Sequence, residues 1–168
     1  MRPFAKYIGE QEEIKTVVEI GVGAFVNAMD LLQGCDRLIG VDQYVWYPEG
    51  DPYSGDANNL SSQAEQDERY IAGCQLMIDI PKFQLIRLPS LEAAALFDDP
   101  VDAVYIDANH GYEHVRDDIY AWMGKCQLIG GHDYGDPKNP GVQQAVDEIF
   151  LQQHVVLLDD GEWMVWLD

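Results

Sequence analysis

Hydrophobic and polar positions change period along the chain, and the changes predict its elements. Thr16-Val17-Val18-Glu19-Ile20 is a β-branched run closed by Gly21 and reads as a strand. Ala24 to Leu32 carries helical spacing, with Gly34 suited to the C-terminal end of that helix. Leu38 to Val41 is a second strand, ended by Asp42, and a long helix is predicted from Ser62 to Ile80, where Pro81 stops it. Phe83–Leu88, Ala103–Ile106 and Gln127–Gly131 read as further strands, with helices near Leu91–Phe97, Tyr112–Met123 and Val142–Leu151. Tyr112, Val115, Ile119, Trp122 and Met123 fall at helical spacing and mark a core face, whereas His114 and the acid pair Asp117-Asp118 are expected in solvent. Strands alternating with helices predict a parallel sheet covered on both faces. Near the end, Val155–Leu158 and Glu162–Leu167 flank Asp159-Asp160-Gly161, a hairpin signal. The expected fold class is α/β: a mostly parallel sheet with helices on both faces, finished by a C-terminal antiparallel hairpin.

Ligands of open α/β sheets sit beyond the carboxyl ends of the strands. The segments that matter are therefore Gly21–Ala24, Asp42–Tyr44, Pro89–Ser90, Asp107–His110 and His132–Tyr134, which are rich in Gly, Asp, His and Ser. In Glu19-Ile20-Gly21-Val22-Gly23 the glycines let the backbone turn tightly and approach a ligand. A dinucleotide fingerprint wants Gly or Ala three residues after Gly23, where Val26 stands, and this disfavours a nicotinamide-dependent oxidoreductase. Asp42 can accept both hydroxyls of a ribose, so the turn and the acid together suit a nucleoside-bearing cofactor. Gly130-Gly131 would weaken a strand unless something approaches closely, and a bound ligand would explain them.

Length and charge narrow the partners. A chain of 168 residues fits one domain, 1–168, able to bury roughly 70% of its unfolded surface. Thirty acidic against ten basic residues give a net charge of −20, a field that repels phosphate backbones and argues against nucleic acid. No apolar run is long enough to span a membrane, and the N-terminal residues lack the apolar core of a signal peptide, so a cytoplasmic location is expected. Cys35, Cys74 and Cys126 match no metal or disulfide spacing and read as buried thiols.

Glu-Ile-Gly-Val-Gly, Ile-Gly-Val-Asp, Val-Tyr-Ile-Asp-Ala-Asn-His-Gly-Tyr, Gly-Gly-His-Asp-Tyr and Pro-Gly-Val-Gln-Gln-Ala-Val-Asp, spread from about Val17 to Phe150, resemble the class I S-adenosylmethionine-dependent methyltransferases. Within them the chain is most similar to methyltransferase family 24, the small-molecule and sugar O-methyltransferase group. The resemblance implies a Rossmann-like, seven-stranded sheet completed by the hairpin. It also implies S-adenosylmethionine as cofactor, with Glu19, Gly21, Gly23, Asp42, Gln43, Ser90 and Asp107 as its contacts: the glycines near the methionine part, Asp42 on the ribose and Ser90 near the adenine. Phe25 stands where many members carry a third glycine.

Methyl transfer from a sulfonium needs an acceptor held in line and help in removing its proton, from a base, a metal or both. Asp107 and Asp133 end neighbouring strands and, with His110 or His132, suit a hard divalent cation, Mg²⁺ most simply. Some relatives carry Asp where this chain has Asn109, which leaves His110 as the better candidate base, His132 behind it, and Asp107 as their catalytic partner. A cap and turn over Asp107–Gly111 is the bland alternative. The aromatic segment Tyr44–Asp56 leaves the second strand on the ligand face and is a candidate lid, with a sheet-edge flap or a dimer contact as alternatives; a homo-oligomer stays open. The first strand begins so near Met1 that little N-terminal cover over the substrate is expected. The expected function is O-methylation of a hydroxyl on a sugar, glycan or other small-molecule acceptor. The alternatives are a catalytically inactive cofactor-binding or interaction module of the same fold and, last, the oxidoreductase.

Overall fold

Along β1 (Thr16–Ile20) the period-two alternation puts Val17 and Glu19 on one face of the sheet and Val18 and Ile20 on the other. The same division runs through β4 (Val101–Ile106), with Tyr105 opposite Val104 and Ile106, and β5 (Cys126–Gly131), with Leu128 opposite Ile129. Both faces are apolar because both are covered. In the computed structural model, which describes residues 1–51, 53–54 and 59–167, α1 (Pro3–Gly9), α2 (Val26–Gly34) and α3 (Gln63–Asp79) pack on the first face. On the second lie α4 (Ser90–Ala94), α5 (Tyr112–Trp122) and α6 (Pro140–Ile149).

The seven strands run in the order β3-β2-β1-β4-β5-β7-β6, where β2 is Arg37–Val41, β3 Phe83–Ile86, β6 Val156–Leu157 and β7 Trp163–Trp166. β1 to β5 pair in parallel, while β7 is antiparallel to both β5 and β6. The hairpin turn falls on Asp159–Gly161, where Asp160 (φ 60°) and Gly161 (φ 75°) take the left-handed conformations that such turns require. The expected α/β class, mostly parallel sheet and terminal hairpin are all present. Among the described residues no helix is long and apolar enough to cross a membrane.

Helix α1 is not anticipated by the hydrophobic period. Pro3 stands in its first turn, and Phe4, Ala5 and Ile8 are buried against the sheet and α2. Its docking accounts for the glycine pair of β5. A Cβ on Gly130 would lie 2.6 Å from both the Phe4 ring and the carbonyl oxygen of Trp163, and one on Gly131 would lie 2.4 Å from the Ile106 carbonyl oxygen. The close approach expected of a ligand is made instead by the protein's own ring and backbone.

Phe25 occupies the third-glycine position with φ 65°, a left-handed conformation that costs an ordinary residue roughly 1–2 kcal/mol. Its ring lies 6.3 Å from those of both Tyr44 and Phe83 and fills the space above Gly73. Losing such a ring costs about 3–5 kcal/mol, more than glycine would recover from the backbone. Phe25→Gly is therefore expected to destabilise the fold by roughly 2–3 kcal/mol in a denaturant titration.

Candidate active site

Beyond the carboxyl ends of β1, β2 and β4 lies a cavity of about 370 Å³, the size of a small-ligand pocket. Gly21, Gly23, Asp42, Gln43, Ser90 and Asp107 all line it. Gly21 (φ 86°) has its Cβ position within 2.3 Å of the Asp107 carbonyl oxygen, so only glycine lets the turn after β1 pass against the end of β4. Asp42 organises the same turn: Oδ2 accepts from the backbone N–H groups of Val22 (3.0 Å) and Gly23 (2.9 Å), and Oδ1 from that of Tyr44 (2.8 Å). A carboxylate offers about four lone-pair sites, so one stays open to a hydroxyl in the cavity. Positive φ recurs around the cavity and its neighbouring strand end, at Phe25, Tyr44 (47°) and Asp133 (64°), and strained backbone of this kind gathers at ligand sites.

Glu19 lies elsewhere. Fully buried, it points into the helix layer, where Oε1 accepts from Asn27 Nδ2 of α2 at 2.9 Å; the alternation of β1 turns it away from the cavity wall. Ser90 is on the wall, but its hydroxyl is engaged, accepting from Trp122 Nε1 at 3.0 Å and bonding to Asp118.

The described part of the aromatic loop folds over the cavity; Pro52, Gly55 and Asp56 lie outside the described residues. Asn59 clamps it, accepting from Tyr47 N–H (2.8 Å) and donating to the Tyr47 carbonyl (2.9 Å). Tyr53 reaches across to α5, where its hydroxyl bonds His114 Nε2 and the two rings stand edge-on 5.2 Å apart. His114 is exposed, as expected, and is also a partner of the loop and part of the cavity wall. Asp118 departs from its expected place in solvent: it is 4% exposed, on the cavity wall.

Beside the cavity, His110 Nε2 stands 3.3 Å from Asp107 Oδ1 and 3.0 Å from Asp133 Oδ2, and His132 Nδ1 stands 3.0 Å from Asp133 Oδ1. Burial alone would lower the His110 pKa, but hydrogen bonds to both carboxylates and their charges push it up to about 10. The two histidines in turn hold Asp133 well below the usual carboxylate range, against its partial burial. His132 is raised, first by its hydrogen bond to Asp133. At neutral pH His110 is therefore an imidazolium clamped between two acids, which blocks it as a proton acceptor in this arrangement. Asp107, His110 and Asp133 each offer one ligand atom, all within 4.8 Å of one another. With an imidazole in the set, the donors suit a first-row divalent ion better than Mg²⁺, which prefers oxygen alone.

Sequence reasoning missed Arg2. Its Nη1 lies 3.3 Å from Asp107 Oδ2 and 3.3 Å from the Tyr105 hydroxyl, so the residue preceding α1 supplies a cation to the strand-end acids. Nothing in the local pattern around Arg2 could signal this, because the bond spans more than a hundred residues.

No family model matches this chain, and no curated protein does. Solved structures do. The TDP-rhamnose 3'-O-methyltransferase CalS11 of calicheamicin biosynthesis superposes with a TM-score of 0.63 at 15% identity, over 97% of this chain and 76% of its own. An rRNA methylase from Streptococcus thermophilus gives 0.60 at 10% identity, over 100% and 98%. Spermidine synthase from Thermotoga maritima gives 0.56 at 13%, over 98% and 58%. The chain has the Rossmann-like class I methyltransferase fold. Identities this low establish the fold alone, and the spread of chemistries among these neighbours shows why function has to be argued from the site.

Proposed function

We propose that this chain is an S-adenosylmethionine-dependent methyltransferase that methylates a hydroxyl of a sugar or another small metabolite. The observation that carries the reading is the cavity at the strand ends, where Gly21, Gly23, Asp42 and Gln43 stand as a nucleoside cofactor would need them. CalS11 adds a small-molecule acceptor by analogy, and the net charge of −20 weighs against the nucleic-acid acceptor of the rRNA methylase neighbour.

In this reading Asp107, which lines the cavity, orients the acceptor and takes its proton, while Arg2 and His110 position it. With the His110 proton displaced, Asp107, His110 and Asp133 would hold a divalent ion, which when bound would supply Lewis acidity to the acceptor oxygen.

Titration calorimetry with S-adenosylmethionine and S-adenosylhomocysteine tests the reading. Micromolar binding of both is expected, with Mn²⁺ giving a larger heat than Mg²⁺ if an ion is used; silence up to millimolar ligand would sink the cofactor assignment. The engaged His110 favours one second reading, a binding module without turnover. Cofactor binding with no S-adenosylhomocysteine released across a panel of hydroxylated acceptors would favour that module.

A further inference from the structure

A second cavity adjoins the first and has no part in the reading above. It measures about 490 Å³, within the range of small-ligand pockets, and lies where the turn into α5 meets the start of α6. The two elements touch there: a Cβ on Gly141 would fall 2.4 Å from the Tyr112 nitrogen and 2.7 Å from the His110 carbonyl oxygen. Tyr53 and Asn109 line both cavities. His110, on the wall of the second, has Nε2 3.3 Å from Oδ1 of Asp107, on the wall of the first. A molecule whose body occupies the second cavity is therefore next to Asp107 and the first.

Charge sets the second cavity apart. The chain carries thirty acids, and Asp42, Asp107 and Asp118 line the first cavity, yet among the described residues no Asp or Glu lines the second. Lys138 does. Arg2, Arg87 and Arg116 are engaged by carboxylates, and Lys82 and Lys125 by backbone carbonyls. The exposed Lys138 ammonium has no hydrogen bond or ion pair with any described residue, although its backbone is anchored. Its N–H donates to Asp136 Oδ1 at 2.9 Å, and the next residue donates from Asn139 Nδ2 to Asp133 Oδ2 at 3.1 Å. Asn109 adds a donor: its Oδ1 is taken by the Gly111 N–H at 2.8 Å, and its Nδ2 is left without a partner. An ammonium and an amide N–H with no acid beside them complement an anion. In a chain of net charge −20 an anion is repelled by most of the surface, so a cavity of the opposite local sign selects where it binds. One free cation suits a single acid group, whereas a nucleic-acid backbone is held by several.

Resting on the cofactor reading, we propose that the methyl acceptor carries an acid group, a carboxylate or a phosphate, and that Lys138 reads it in the second cavity while the reacting hydroxyl faces Asp107. Lys138 makes and breaks no bond; it sets which acceptors bind.

Amide shifts of the nitrogen-15-labelled protein, loaded with S-adenosylhomocysteine, test this with three probes: glucuronate, glucose 6-phosphate and the neutral methyl glucoside. At least one of the two acids is expected to shift Asn109, Lys138 and Gln144 and to bind about tenfold more tightly than the neutral sugar, the worth of one charge-assisted hydrogen bond, with a preference that shrinks as salt is added. Whichever acid binds more tightly names the group as carboxylate or phosphate. Lys138→Met is expected to bind all three probes alike, and Lys138→Arg to restore the preference. No shift at these amides from either acid at millimolar concentration, equal binding of acid and neutral probes, or a preference that survives Lys138→Met overturns this inference. Any of these with S-adenosylhomocysteine bound leaves the cofactor reading standing. Failure of S-adenosylhomocysteine to shift Gly21, Gly23 and Asp42 overturns that reading, and the acceptor role of Lys138 falls with it, so the two failures are told apart.

Discussion

Glu162→Ala is expected to lower the unfolding free energy by roughly 3–5 kcal/mol, the range for removing one partner of a buried charged network. Glu162 sits between the Asp159–Gly161 turn and β7, 1% exposed. One of its oxygens accepts the Phe4 backbone N–H at 2.6 Å, and the other accepts the Tyr105 hydroxyl at 2.7 Å with Arg2 Nη1 at 4.0 Å. Phe4 and Tyr105 are themselves fully buried, so alanine would strand two donors away from water, and an unmade buried hydrogen bond costs more than a made one contributes. The loss is larger than a cavity of this size would cause alone, because the same carboxylate ties α1 to the sheet. Glu162→Gln should fall between the two, since its amide accepts from one donor and sets an N–H against the other. Chemical denaturation gives the free energies, and hydrogen exchange at Ala5 to Gly9 reports whether α1 undocks first. A loss under about 1 kcal/mol for the alanine variant would mean that α1 is held by Phe4 and Ile8 alone.

The contrast between this network and the rest of the molecule explains what could be read from the chain. β1 to β5 are short β-branched or aliphatic runs closed by Gly, Asp or Pro, and their period needs no tertiary information. The hairpin was legible for the same reason, through Asp159-Asp160-Gly161. Helix α1 has only seven residues, too few to show a period, and it is tied to the sheet by its buried apolar face and by Glu162, 158 positions from Phe4. The positions of the cavity residues followed from the rule that ligands sit beyond strand ends, but the work of each side chain did not. Asp42 holds the glycine turn as well as facing the cavity, and His110 spans two acids, because contacts across strand ends settle such roles. Two signals were present and outweighed. Val115, Asp118, Ile119 and Trp122 form one helical stripe, which marks Asp118 as inward despite its charge. Val17 and Glu19 share a parity, which marks Glu19 as facing the helix layer with Asn27 rather than the ligand.

Glu19 carries the second large effect: the protein is expected to lose stability as pH rises, and Glu19→Gln to remove that loss. Glu19 Oε1 accepts from Asn27 Nδ2 at 2.9 Å, while Glu19 Oε2 and Asn27 Oδ1 are both buried without a partner. Two orphaned acceptors beside each other are costly, and one proton resolves both. If Glu19 is neutral, its O–H donates to Asn27 Oδ1 and the acid and amide close a paired ring. Burial favours the same form and pushes Glu19 from 4.5 up to about 8; the Asn27 hydrogen bond and Arg2 oppose the rise, and Asp107 and Asp42 add to it. The folded value lies above the unfolded one, so between them the native state binds a proton that the unfolded chain has released. The contribution is therefore complete below about pH 4.5 and is lost progressively as pH rises to about 8, where Glu19 ionises in place. A shift of this size is worth on the order of 5 kcal/mol across the window. Glutamine keeps the shape and supplies the missing donor at every pH, so Glu19→Gln should match the wild type near pH 5 and exceed it by most of that amount near pH 9. Urea titrations of both proteins at several pH values isolate the effect, because every other titrating group is common to the two. Parallel stability curves for the two proteins over that range would show that Glu19 is ionised in the fold, with an unseen donor satisfying both oxygens.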